Sequence, residues 1–423
     1  MDTDNSADLR ATTRAARQTG RSRPRVAGID FARFLAVIGM MATHVWTANA
    51  DGSPAVLAEI LSGKAAALFA LLAGVGIAIT TRADLAEGRR GAARWNVFGR
   101  GLALVLIGLT LGLAPGPVVV ILVYYGVMFW AAIPLLGLSN RALLIVAGVL
   151  GLAWPPISSW LRAGLEQPSD LGSASWLSFA DPAAFLRGLF LTGTYPVPTW
   201  IVYATVGMVA GRLVLVAVDG AALRRLGLRF AAIGGALGAA AWGASEALAG
   251  PLGGLTALAH EGPGLEPDLV RSVFYGTGLG AAPAGSPWWL VSPAPHTGTT
   301  FDLAITTGVA LATLGCFLAL GTVLAPTVAR ILEPVRRAGS APLTIYTVHV
   351  LAASIPAVLR LVVGGPALTD SVPWYWSSGA LWAAHIAGAI LIGAILMLLR
   401  RRGPLETFVA WSGSALARRV ARR

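Results

Sequence analysis

The stretch GIDFARFLAVIGMMATHV carries Asp30, Arg33 and His44 within one apolar segment. An α-helix turns about 100° per residue, so Arg33 and His44 return to within roughly 20° of one direction, and Asp30 falls within about 40° of His44. One helix face would then present a carboxylate and a guanidinium near one end and an imidazole about 16 Å further along. Ionisable groups inside an apolar helix cost several kcal/mol, so they mark either a function or a mutually neutralising pair. Two readings follow. In the first, Asp30 and Arg33 form an i, i+3 ion pair that lowers the cost of burying each, and His44 caps the far end of the helix. In the second, Arg33 holds an anionic, phosphate-bearing ligand and His44 works as a general base, a task that suits an imidazole titrating near physiological pH.

These residues need a scaffold that is apolar almost throughout. Of 423 residues, 56% are hydrophobic and 12% charged, and the mean hydropathy is +0.70; soluble domains carry about 25% charged residues. The balance excludes a soluble enzyme and a disordered chain, and Cys316, the one cysteine, excludes a disulfide framework. What remains is an all-α, polytopic membrane protein. Crossing the hydrocarbon core takes about 20 apolar residues. Ten such stretches fall at 26–48, 62–81, 97–114, 118–137, 142–160, 196–217, 230–249, 302–325, 342–363 and 377–399, with an eleventh if 185–196 also crosses.

Charge sets the expected orientation. The net charge is +12, and Lys64 is the one lysine among 32 basic residues. In a soluble protein this excess would suggest nucleic acid; here it is first a topological signal, and no nucleic-acid partner is expected. Segments 1–25, 82–96, 138–141, 218–229, 326–341 and 400–423 hold 24 arginines, whereas 49–61, 115–117, 161–195, 250–301 and 364–376 hold three, Arg162, Arg187 and Arg271. Basic connections stay in the cytosol, so both termini are expected there, with anionic lipid against the basic face. Residues 1–25 read as a disordered basic tail, 26–400 as the membrane domain and 401–423 as an amphipathic cytosolic segment. Among the outer connections, 161–195 contains FLRGLFLTGTYP, too short to span and so interfacial or re-entrant. The connection 250–301 holds His260, His296, Trp288, Trp289 and many prolines, the composition of an ordered lid.

The motifs resemble a known group. D-x-x-R followed by His within the first span, behind a basic tail, resembles the start of the acyltransferase-3 membrane enzymes. The wider pattern is similar to the YeiB-type bacterial membrane family, related to the heparan-alpha-glucosaminide N-acetyltransferase catalytic domain. It rests on RVAGIDFARFLAVIGMMATHV, SGKAAALFALLAGVGIAI, ILVYYGVMF, PHTGTTFDLAITTGVALATLG, PLTIYTVH and GPLE, in this order over residues 26 to 410. The resemblance implies a helical bundle in a bacterial plasma membrane that takes an acyl group, acetyl above all, from cytosolic acyl-CoA. The acceptor would be a hydroxyl or amine on the far side, on a glycan, lipid or small molecule. It also implies His44 as the catalytic residue. The heparan-type enzymes carry theirs later, and no His lies between Trp46 and Leu61, so only the first-span histidine is carried over.

The remaining candidates are placed around that scheme. Arg100 opens the third span on the cytosolic side and would join Arg33 around CoA phosphates, or serve only as a positive-inside anchor. Lys64, level with His44, would orient the acceptor or stabilise an oxyanion, or simply snorkel. Tyr346 and His349, three apart in the inner half of the ninth span, would contact pantetheine or Asp30, or satisfy each other in the core. His296 and Asp302 flank the outer mouth of the eighth span as acceptor-side candidates. His385 reads as helix packing and Cys316 as a small apolar filler. No GxxxxGK[ST], HExxH or CxxC is present, and no metal is expected. The rival reading is a transporter of an organic anion or lipid using the same Asp, Arg and His without covalent chemistry. A structural scaffold would need none of them. Self-association is left open.

Overall fold

The computed structural model describes residues 26–49, 53, 55–165, 172–261, 266–363 and 373–421, and the expected basic tail lies outside them. Within the described residues every regular element is helical. In chain order the principal helices are α1 (Ala27–Val45), α2 (Lys64–Ala86), α3 (Arg90–Leu111), α4 (Leu122–Ala132), α5 (Asn140–Arg162), α6 (Val197–Val216), α7 (Gly220–Ala249), α8 (Thr300–Leu320), α9 (Glu333–Gly339), α10 (Pro342–Val363), α11 (Gly379–Leu398) and α12 (Pro404–Ala421). Nine helices among the described residues are long and apolar enough to cross a membrane, and the chain is a multi-pass membrane protein. The fourth expected span is where the structure differs: α4 with its 3-10 extension, Leu122–Gly137, is shorter than the others.

That shortening has a local cause. Val118, Val120 and Ile121 are buried but not helical, so their backbone groups need partners other than water. Ser173 Oγ accepts from Val120 N at 2.9 Å and donates to Val118 O at 3.2 Å. Tyr346 Oη accepts from Ile121 N at 3.4 Å, and Tyr195 Oη donates to Val119 O at 3.4 Å. Three side chains from two distant segments thus replace the missing helical bonds.

α1 is the hub, packed by α2, α8, α9, α10 and α11. The tightest pairs around it are built on small residues. Gly234 and Gly308 leave no room for a Cβ between α7 and α8, and Gly74 and Gly207 do the same between α2 and α6. Close backbone approach of this kind is how helices associate where lipid is as apolar as their own side chains. Leu152, Leu361 and Leu398 point outward. So does Cys316, which is exposed and fills no gap in the core.

The two long connections are ordered where described. In 250–301, helices Gly254–Glu261 and Pro267–Tyr275 and the turn Pro287–Val291 enclose a small core of Leu258, Val270 and Phe274 against Trp288 and Trp289. In 161–195, Pro182–Arg187 runs into a π-helical turn, Gly188–Thr192, that delivers Tyr195 to the bundle interior. The C-terminal helix α12 docks on α3, where Gly99 meets the backbone at Ser412 and Gly413. It is therefore held by protein and not by a lipid face alone.

The GPLE motif opens α12 and caps the start of α10. Glu406 accepts from Leu343 N at 2.7 Å, Thr344 N at 3.0 Å and Thr344 Oγ1 at 2.6 Å. These are free donors of a helix N-terminus, where a carboxylate also meets the favourable end of the helix dipole. Glu406→Ala is expected to destabilise the protein by about 1–3 kcal/mol. Thermal unfolding of the purified protein in detergent checks this, with Glu406→Gln retaining part of the loss.

Candidate functional site

The end of α1 that carries His44 is where the ionisable groups converge. His44 lies in the last turn of α1. His44 Nδ1 is 3.0 Å from His349 Nε2 on α10, and His349 Nδ1 is 3.1 Å from His385 Nδ1 on α11. Three helices are thus joined by a line of imidazoles. One turn away on the same helices, Met41, Ile345 and Ala389 pack in one apolar cluster with Val37 and Ala338. This layer fixes the helix spacing that the histidines require. The level of α11 is set independently: Ser378 N donates to Val45 O at 2.9 Å and Trp382 Nε1 to Ile38 O at 2.8 Å.

His44 also lines a small cavity, together with Met40, Gly63, Tyr195, His296 and Tyr346. His296 reaches it from the 250–301 connection and is held by strain. Its φ is +59°, unusual for a residue with a Cβ, and Gly298 follows at +61°. Hydrogen bonds fix this turn: Gly278 N donates to Pro295 O at 2.8 Å and Gly280 N to His296 O at 2.7 Å. Thr299 Oγ1 donates to Ser292 O at 2.7 Å and accepts from Asp302 N at 3.0 Å, capping α8. Gly63, with φ +68°, brings the start of α2 so close that a Cβ would strike Pro295. PHTGTT and SGK are therefore the two halves of one contact.

His296 borders a second small cavity with Trp200, Tyr203, Thr199 and Asp302. Its ring is stacked on Trp200 and edge-on to Tyr195, with centroids 6.2 Å and 5.7 Å away. Asp302 is buried; Oδ2 accepts from Gly298 N at 3.0 Å, while Oδ1 has no hydrogen-bond partner among the described residues. Lys64 stands within electrostatic reach of both Asp302 and His296.

At the other end of α1, Asp30 is buried between two guanidinium groups, Arg33 Nη1 and Arg336 Nη1, each at 3.2 Å. Arg336 and Arg337 also bind Glu333, at 2.5 Å and 2.9 Å. Hydrogen bonds from Arg336 hold the Glu333 carboxyl below the usual carboxylate range. Among the described residues, three guanidinium groups thus share two carboxylates.

The expected residues fall into two groups. His44, Lys64, His296, Asp302, Tyr346 and His349 gather at one end of α1; Asp30 and Arg33 stand at the other. His349 and Tyr346 were expected near Asp30 or a cofactor arm, but they belong with His44, because α9 ends against the Asp30 backbone and α10 runs on from there along α1, with Ile345 already level with Met41. His385, expected as packing, is hydrogen-bonded to His349. Arg100 is not joined to Arg33: its Nε donates to Asn96 Oδ1 at 2.8 Å, and its stem lies beside Gly413 of α12. Arg336 takes the place expected for it. The signal for Arg336 was the run EPVRR, whose i, i+3 and i+4 charges mark a short helix in a basic connection. Neither the family models nor the curated proteins contain a match to this chain.

Burial, with the Lys64 ammonium nearby, lowers the His296 imidazole from 6.5 to about 4. Below pH 6.5 the unfolded chain gains a proton that the folded protein refuses until about pH 4. Stability from this group is complete above pH 6.5, falls as pH drops towards 4, and falls no further below that. The loss amounts to up to about 3 kcal/mol. His296→Gln is expected to flatten the decline in Tm over that window, as measured by thermal unfolding across pH.

Proposed function

We propose that the protein is a membrane acyltransferase that moves an acyl group from acyl-CoA, acetyl-CoA above all, to a hydroxyl or amine acceptor across a bacterial plasma membrane. What supports the reading most is one observation: the cavity wall at His44 holds an imidazole whose Nδ1 is engaged by a second imidazole. That leaves Nε2 for the cavity, the arrangement of a general base oriented by a second group. In this reading the arginine end faces the cytosol, in keeping with the excess of basic residues in its connections, and the histidine end faces outward.

Arg33 and Arg336 receive the CoA phosphates, for which guanidinium forks are well shaped. The acceptor enters by the cavities bordered by His296. His44 Nε2 takes the proton of the acceptor as its oxygen or nitrogen attacks the thioester carbon; the C–S bond then breaks and the thiolate leaves. Lys64 and Tyr346 stand near enough to that cavity to steady the oxyanion between these steps. The acceptor binds Asp302 Oδ1, a buried acceptor atom that needs a donor. Between Arg33 and His44 the face of α1 is filled by Val37 and Met41 packed on Ala338, Ile345 and Ala389. A donor arm following that face must part this contact, so donor entry moves α10 or α11.

Two outcomes test the reading. His44→Ala is expected to lower acyl transfer by about 10²–10⁴ while CoA still binds, whereas Arg336→Ala weakens CoA binding. Thiol release from acetyl-CoA and calorimetric CoA titration read the two effects, and an unimpaired His44→Ala variant removes the assigned base. Orientation is checked with Cys316→Ala as background: Asn5→Cys and Ala415→Cys should both resist an impermeant thiol reagent in intact cells. A protein that binds organic anions but never releases thiol is the carrier.

A further inference from the structure

We propose that His44, His349 and His385 form a proton wire joining the cavity at His44 to a separate cavity at His385, near Tyr375 and Trp376. The inference rests for its chemistry on the acyl-transfer reading, but the wire itself stands on geometry. His349 is buried and faces a different ring with each of its nitrogens, at 3.0 Å and 3.1 Å. The three rings therefore do not converge on one point as metal ligands would; they form a line. The far end opens on a small cavity lined by His385, Tyr375, Trp376, Pro117 and Pro356. His385 is half-buried there, whereas the near end, His44, borders the cavity shared with His296.

A neutral imidazole has one N–H and one lone pair, so both hydrogen bonds of the line can be satisfied in either of two polarities. In one, His44 Nδ1 donates to His349 Nε2, and His349 Nδ1 donates to His385 Nδ1. His44 Nε2 is then a lone pair facing the cavity, and the free N–H is His385 Nε2. When the acceptor hydroxyl gives its proton to His44 Nε2, the Nδ1 proton of His44 passes to His349 Nε2. The Nδ1 proton of His349 passes to His385 Nδ1, and the Nε2 proton of His385 leaves to water in the outer cavity. The rings end neutral in the opposite polarity, with a proton now on His44 Nε2. Protonating the departing thiolate sulfur from His44 Nε2 runs the line backwards, with His385 Nε2 taking a proton from water. The two strokes cancel, as esterification by a thioester requires.

The physical gain is that no charge has to rest on His44. An imidazolium there would face His296, Tyr195 and Tyr346 across the cavity and His349 and His385 along the line, with Lys64 beside His296 and no carboxylate among the described residues that line the cavity. Cations confined in such a setting repel strongly because little water screens them. Passing a proton through the wire avoids that state. His349 and His385 are accordingly positioning residues that act through His44.

The test uses the full-length protein, ¹⁵N-labelled at histidine, in lipid nanodiscs. Nitrogen–nitrogen couplings across hydrogen bonds are expected for His44 Nδ1 with His349 Nε2 and for His349 Nδ1 with His385 Nδ1, and both should vanish in His349→Phe. Absence of either coupling in the unmodified protein overturns the wire, whatever the activity. In membranes supplied with acetyl-CoA, His385→Ala is expected to slow thiol release about 10–100-fold, and added imidazole should restore part of the rate by filling the vacated site. A full rate in His385→Ala, or a slowed rate that imidazole leaves unchanged, overturns the catalytic use of the wire. If the unmodified protein releases no thiol, the acyl-transfer reading fails and the couplings alone decide the wire.

Discussion

The contact between His44 Nδ1 and His349 Nε2 is the interaction on which the site depends. Imidazoles buried in an apolar bundle must satisfy their polar atoms with one another or with backbone wherever they do not reach a cavity. At 3.0 Å and 3.1 Å the two contacts along the line leave little tolerance for a helix to slide. The bundle supplies the accuracy by two means: the apolar layer of Met41, Ile345 and Ala389 one turn away, and the ties from Ser378 to Val45 and Trp382 to Ile38. A shift of α11 by one residue would move His385 about 1.5 Å along the axis and through about 100° around it, breaking the line.

The same rule, that every buried polar group needs a partner, explains features that look unrelated. The non-helical stretch before α4 survives because Ser173, Tyr195 and Tyr346 serve its backbone. Asp30 survives because two guanidinium groups face it. Removing either arginine would leave a buried carboxylate half-compensated, which usually costs more than the pair contributes. Asp302 Oδ1, like Thr307 Oγ1 and Thr347 Oγ1, has no partner among the described residues, and its residue borders a cavity already walled by His296, Trp200 and Tyr203. An orphaned acceptor at such a place is where a ligand's donor belongs.

The sequence carried the architecture well because length and hydropathy are local properties. Nine of the expected spans correspond to long apolar helices, and the short one failed where three distant side chains took over the backbone's hydrogen bonds. The arithmetic of one helix face placed Asp30 and Arg33 together correctly. It was blind to Arg336, since pairing across 306 positions leaves no periodic trace. His385 was misread for the same reason: a lone histidine on an apolar helix looks like packing until its partner is known. Tyr346 and His349 went to the wrong end because depth was counted from the start of their own span. That start is set back along α1 by α9, whose Gly339 lies directly against the backbone of Asp30.

α9 therefore does two things at once. Its Arg336 completes the ion cluster at Asp30, and its Gly339 and Ala338 pack on α1 beside the apolar layer that spaces the histidines. An anion drawing Arg336 away from Asp30 would pull on a helix that touches both α1 and α11, and Ala338 is itself part of the layer. The two ends of α1 are thus connected by packed side chains and not by open space. Because packed layers have discrete arrangements and resist gradual deformation, a movement at the arginine end cannot rearrange this layer without also disturbing the spacing of His44, His349 and His385. In a membrane protein built this way, the ion cluster at one end of α1 and the line of histidines at the other share a single mechanical element, and that element is the apolar layer between them.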